Sequence, residues 1–153
     1  MLQATALLAM LAPVPGQAQT IRHFAPTGPK PPGVPADDKA PFSSAVLVGD
    51  TLYLSGVTDL DPVTRQHGTS SRDSARVVMD ALKRSVEAAG MTMDDLVWVQ
   101  VFATDLSGFS DFGAVYAGYF HGPLPARSFV GVAGLMGGAQ YEVNAIAARK
   151  AKP

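Results

Sequence analysis

A chain of 153 residues, 47% hydrophobic and 16% charged, can bury one real core and is too short for two ordinary domains. Its formal net charge of −1, with no run of like charges, argues against a nucleic-acid partner, which needs a basic face, and against an electrostatic membrane-surface role. Without cysteine, neither a disulfide framework nor a thiol nucleophile is available.

Residues 1–18 read as a signal peptide. Ala4 to Leu11 is an apolar run the length of a signal-peptide core, too short to span a bilayer as a helix. Gly16-Gln17-Ala18 puts small residues where a signal peptidase needs them, predicting cleavage after Ala18 and a periplasmic or secreted protein. No Lys or Arg precedes the run, and the first basic residue is Arg22, so a cytoplasmic protein with an apolar extension is the alternative. Residues 19–40 read as a Pro-rich arm. Pro26, Pro29, Pro31, Pro32, Pro35 and then Pro41 remove amide donors and fix φ, which forbids helix or inner strand there and suits a spacer.

Residues 41–150 read as the folded domain. Val46 to Val48 and Leu52 to Leu54 flank Gly49-Asp50, a two-residue hairpin signal. Val77, Val78, Ala81, Leu82, Ser85, Val86 and Ala89 recur with the period of a helix, predicted from Ser71 to Ala89 and stopped by Gly90. Leu96 to Ala103 is a strand whose continuous apolar character, with Trp98 and Phe102 on one side, predicts burial on both faces. Phe109, Phe112, Val115, Tyr116 and Tyr119 form a second helix, ending before Gly122-Pro123. Two strands close the chain, around Arg127 to Val130 and Tyr141 to Ala147. The sum is an α+β fold, two helices covering one face of a single sheet. Val46, Leu54, Val99, Val101, Val130 and Val132 leave no complete polar alternation for the other face, which therefore needs a partner.

Each of the last two strands carries one charge among apolar neighbours. Arg127 offers a planar fork for a substrate carboxylate, since guanidinium binds carboxylates bidentately. Glu142 offers a base for a water or the reacting carbon. The alternative is that the two neutralise each other as a partly buried ion pair. His23, His67 and His121 are scattered without ligand spacing and read as surface residues, and no Gly-rich phosphate loop is present, so neither metal nor cofactor is expected.

Five segments together, spread over residues 40–148, resemble the RidA/YjgF family of reactive intermediate deaminases. They are Pro41-Phe42-Ser43-Ser44-Ala45-Val46, Leu52-Tyr53-Leu54-Ser55-Gly56 with Asp61-Pro62-Val63-Thr64, the strand Val97 to Leu106, Pro125-Ala126-Arg127-Ser128, and Glu142 to Ala147. The resemblance implies a chorismate-mutase-like fold and a homotrimer, its sheets closing around a central barrel with a cleft at each subunit boundary. It also implies cofactor-independent hydrolysis of small carboxylate-bearing enamines and imines, such as 2-aminoacrylate, to a 2-oxo acid and ammonia. Arg127 then holds the carboxylate and Glu142 handles water and proton, while backbone near Ser55-Gly56 and Ala126-Arg127 holds the water and the nitrogen end.

The departures from the family pattern bear on substrate. Phe42 stands where the family usually has tyrosine, Gly113 where deaminating members commonly carry asparagine, and Val57 where a polar residue is frequent. Phe129 replaces a small residue on Arg127's side of the strand, Met136 a turn proline, and Asn144 a second acid. These changes imply a bulkier, more apolar pocket that keeps the Arg127/Glu142 pair. A non-catalytic carboxylate binder on the same fold is the alternative. An RNA-cleaving relative is disfavoured by the charge balance and the lack of a basic, aromatic-lined surface.

Overall fold

The computed structural model describes residues 19–26 and 41–149. The signal peptide expected at 1–18 and most of the arm lie outside those residues. Strand β1 (Ile21–Phe24) precedes β2 (Ala45–Val48) and β3 (Thr51–Thr58), followed by helix α1 (Ser71–Ala88). Then come β4 (Leu96–Ala103), helix α2 (Phe109–Ala117), β5 (Ala126–Gly131) and β6 (Tyr141–Ala148). The strands form one mixed sheet in the order β1-β2-β3-β6-β4-β5, antiparallel except for β4 beside β5.

That exception follows from connectivity. Strands joined through a helix run parallel, and α2 carries the chain from β4 across to β5. The last strand, β6, inserts between β3 and β4, so the C-terminal segment lies at the centre of the sheet.

The stretch 19–40, expected as an arm, contributes an edge strand. Ile21 pairs with Val48 and Phe24 with Ala45, in the four residues before Pro26 removes the next donor. Helix α1 starts at a Ser70 cap whose hydroxyl oxygen accepts from the Asp73 amide, and Gly90 follows its end at φ +72°. Helix α2 is shorter than its periodicity suggested. It ends at Ala117, and Tyr119 lies beyond it, donating its hydroxyl to Asp80 Oδ1 on α1 at 2.7 Å.

Both helices lie on one face of the sheet, over a core formed by Val78, Met79, Leu82 and Val86 of α1 and Phe112 and Tyr116 of α2. From the sheet Leu52, Leu54, Val99, Val101, Val143, Ala145 and Ala147 point into the same layer. Strand parity corrects two expectations. Leu54, Val99 and Val101 belong to this covered face, not to the bare one. Strand β4 is fully buried on one face only, and Trp98, Gln100 and Phe102 on the other are half-buried. The open face also carries Val46, Tyr53, Val130 and Ile146, with Tyr53 50% and Val130 39% exposed. This open face is an apolar surface interrupted by Gln100, Ser128, Glu142 and Asn144.

Candidate active site

Glu142 is positioned by main-chain geometry. Leu54 pairs with Ala145 but Val57 with Val143, so Ser55 and Gly56 together oppose Asn144. This is a β-bulge, a device that bends a strand and re-aims its neighbours. The bulge is tied to the start of β2, since the Ser55 amide donates to Ser44 O at 3.0 Å and its hydroxyl to Ser43 O at 2.6 Å. The Glu142 side chain lies over Gly56. A Cβ at position 56 would collide with Oε1 and stand 2.8 Å from Cδ, so only glycine fits beneath this carboxylate. Beside the bulge is a cleft of about 280 Å³ lined by Phe42, Ser55, Gly56, Val57 and Thr58 among others. Phe42 is 59% exposed, so its ring forms rim rather than core.

Arg127 is positioned by side chains. It pairs with Val99 and Phe129 with Val101, so both project to the helix-covered face of the edge strand β5. Its guanidinium lies 4.5 Å from the ring centroid of Tyr116, 5.5 Å from Phe109 and 5.9 Å from Phe112. Cation–π contacts of this kind hold the planar fork in a fixed orientation. Phe129 is taken up by packing, edge-on to Phe109 at 5.2 Å and to Phe112 at 5.5 Å. Ala126 is exposed at the start of the strand.

Gly113, the α2 position chosen from the sequence, has open space beside it, since a Cβ there would meet nothing within 4 Å, and Phe109, Phe112 and Tyr116 are the α2 residues that reach Arg127. Tyr116 was absent from the sequence-derived site, and the available signal was its place four residues after Phe112 on one helix face. Its hydroxyl is buried without a hydrogen-bond partner among the described residues. Burial pushes the phenol up to about 12, against the opposing pull of the Arg127 charge.

The two charged residues do not meet within one chain. Glu142 pairs with Phe102 and shares the open face with Asn144 and Ile146, while Arg127 is on the covered face. Among the described residues neither forms an ion pair, so mutual neutralisation is not what holds them. The structure gathers Phe42, Ser55, Gly56 and Glu142 into one half-site and Arg127, Phe129 and Tyr116 into another. His67 is not a plain surface residue. It bridges Asp59 Oδ1 at 3.4 Å and Gly137 O at 2.9 Å, and Asp59 in turn accepts from the Gln140 amide at the entrance to β6.

The family model described as Endoribonuclease L-PSP matches residues 35–149. Over 122 residues the chain is 38% identical to a 2-iminobutanoate/2-iminopropanoate deaminase of Dermatophagoides farinae, covering 79% of this chain and 90% of that one. Over 127 residues it is 37% identical to a RutC family protein of Sulfurisphaera tokodaii, covering 82% and 96%. Among solved structures, RidA of an Antarctic Psychrobacter species is similar with a TM-score of 0.72 at 33% identity, covering 84% of this chain and all of that one. The YjgF gene product of E. coli gives 0.73 at 32% identity, covering 84% and 99%.

Proposed function

The chain belongs to the RidA/YjgF family, and from that membership we propose that it is a hydrolytic deaminase of small 2-imino and enamine carboxylates. The supporting observation is the pair of uncompensated charges, one clamped by aromatic rings and one seated over a glycine bulge. A guanidinium fork and a lone carboxylate are the groups that hydrolysis of a carboxylated imine calls for.

Arg127 binds the substrate carboxylate and leaves the C=N carbon facing Glu142. An enamine first gains a proton at its β-carbon and loses one from nitrogen, becoming the imine. Glu142 takes a proton from water as the oxygen adds to the C=N carbon and the C=N electron pair moves to nitrogen, and it returns that proton to the nitrogen to give the carbinolamine. It then takes the hydroxyl proton and passes it to the nitrogen as the carbonyl forms and the C–N bond breaks, so that ammonia and a 2-oxo acid leave. One carboxylate serves both proton steps, consistent with Asn144 rather than a second acid beside it on β6.

Because the halves lie on opposite faces of one sheet, this reading requires a second copy. We propose a homotrimer in which the open face of each copy is covered and the β5 edge of one meets the Glu142 half-site of the next. An RNA-cleaving reading has less support, since a cleft of about 280 Å³ suits a small molecule and the chain carries a net charge of −1. The test is ammonia release from freshly generated imines by Arg127→Ala, by Glu142→Gln, and by the two variants unfolded and refolded together. Each variant alone is expected to be nearly inactive, and the mixture to recover about a quarter of the intact sites, as random assembly of a shared interface dictates. A mixture as inactive as its parts, or a monomer mass by light scattering, overturns the shared site.

A further inference from the structure

Asp59 is the one acid among the described residues with a fully buried side chain. A buried carboxylate is costly unless hydrogen bonds and a counter-charge offset the lost hydration. Its Oδ1 accepts from the Gln140 amide at 2.9 Å and from the Tyr141 amide at 3.4 Å, and the Asp59 amide donates to Tyr141 O at 3.2 Å. Strand β3 ends at Thr58, so Asp59 Oδ1 takes over as acceptor where the ladder with β6 stops. The cationic partner at ion-pair distance is His67, whose Nδ1 stands 3.4 Å from Oδ1. Its Nε2 donates to Gly137 O at 2.9 Å. Both ring nitrogens face acceptors, and the imidazolium form satisfies both.

The turn that His67 grips holds itself weakly. Gly137 and Gly138 have φ of 68° and 77°, and the turn's own bonds are long, Gly138 to Leu135 O at 3.3 Å and Ala139 to Met136 O at 3.4 Å. Among the described residues, His67 is the side chain from outside that reaches it. Asp59 then takes the next two amides, ending one residue short of Glu142. On the facing strand, Asp59 directly follows Thr58, the register partner of Glu142. The pair thus grips both strands beside the carboxylate. Tyr141 has further ties on the covered face: its hydroxyl shares a hydrogen bond with Ser71 and reaches Gly108 O at 3.4 Å, and its ring lies 5.0 Å from Phe112. Glu142 points the opposite way, so its place depends on how the entrance of β6 is held.

We propose that Asp59 and His67 are positioning residues for Glu142, pinning the entrance of β6 and so fixing where the carboxylate stands over Gly56. The proposal rests on the reading of Glu142 as the base of a deaminase. The rings that orient Arg127 are tied to Tyr141 by packing and not to Asp59 or His67. Loosening the clamp therefore displaces the base and leaves the carboxylate anchor in place.

The experiment measures kcat, KM and Tm for His67→Phe, for Asp59→Asn, and for the double variant that joins Asp59→Asn to His67→Gln, with freshly generated 2-iminopropanoate as substrate. A second arm follows the Glu142 carboxyl carbon resonance and the hydrogen exchange of the Gln140 and Tyr141 amides by NMR, independently of turnover. His67 is part-exposed, so His67→Phe is expected to fold. It should lower kcat by roughly ten- to a hundredfold with KM within about twofold, the cost of a reacting group displaced by about an ångström. Asp59→Asn is expected to give the same split. The double variant keeps an acceptor for the two amides and a donor for Gly137 O while removing both charges, so it should recover most of kcat. In each single variant the two amides should exchange roughly tenfold faster, and the Glu142 resonance should move. Folded single variants with unchanged exchange and an unmoved Glu142 resonance overturn the proposal. A loss shared equally by kcat and KM that follows Tm also overturns it, since that marks plain destabilisation. Faster exchange and a moved Glu142 resonance in a protein that turns over no imine leave the clamp standing and sink the deaminase reading. Imine turnover at wild-type kcat in both single variants does the reverse.

Discussion

The two half-sites are built by different means. The acid half belongs to the backbone: a bulge tied by two Ser55 hydrogen bonds to the start of β2 brings a glycine beneath the Glu142 carboxylate. The arginine half belongs to side chains, a fork laid against three rings from α2 at the edge of the sheet. A carboxylate that moves protons needs a fixed distance to a reacting atom, which rigid main chain supplies. A cation that anchors a carboxylate needs orientation and partial desolvation, which aromatic packing supplies.

The sharpest way to break this comparison is kinetic. Glu142→Gln is expected to lower kcat by about two to four orders of magnitude with KM little changed, the range of a lost general base. Arg127→Ala is expected to act mainly through KM, raising it by roughly two to three orders of magnitude for a carboxylated imine. The same split from both variants, measured by steady-state ammonia release, would erase the distinction between base and anchor.

A smaller effect tests the main-chain half alone. Gly56→Ala puts a methyl group where the Glu142 carboxylate sits and must displace it. A loss of about a hundredfold in kcat follows from a shift of the order of an ångström, with carboxylate affinity retained. Unaltered kcat in a folded Gly56→Ala would mean that the bulge does not set the position of the base.

The smallest expected effect tests the side-chain half through stability. Tyr116→Phe removes a buried hydroxyl that has no partner among the described residues, and is expected to stabilise the protein by about 1 kcal/mol at neutral pH. The phenol's folded pKa, about 12, lies above its ordinary value of 10.0. The neutral ring's stabilising contribution is therefore whole below pH 10 and lost as pH climbs through about 12. Thermal melts from pH 8 to 12 should show a shallower alkaline decline in Tyr116→Phe than in the wild type. An equal decline would assign alkaline unfolding to Tyr119 and Tyr141, whose hydroxyls burial also pushes up.

By itself the sequence determined whatever depends on the period of a single element. The continuous apolar run from Leu96 to Ala103 marked β4 to the residue, and the helical spacing from Ser71 located α1 to within one residue of its end. The strand period of two placed Phe129 on Arg127's side of β5 and Asn144 beside Glu142 on β6. Residue identity singled out both charges as either a site or an ion pair, because a lone Arg or Glu amid a strand's apolar residues is costly unless paired or used, and the family resemblance chose the site.

Only tertiary structure decided how those elements face one another. Periodicity orders side chains within a strand but says nothing of which face one strand shares with another, so it could not tell that Arg127 and Glu142 diverge across β4. The bulge at Ser55-Gly56 is likewise a property of the β3–β6 pairing, formed between segments nearly ninety residues apart in the chain. Tyr116 gained its place beside Arg127 when α2 settled over β5, and Ile21–Phe24 became a strand because β2 presented an edge to pair with. Local preference fixes conformation along the chain, whereas register and facing are set by long-range hydrogen bonds and burial that exist only once the sheet has closed.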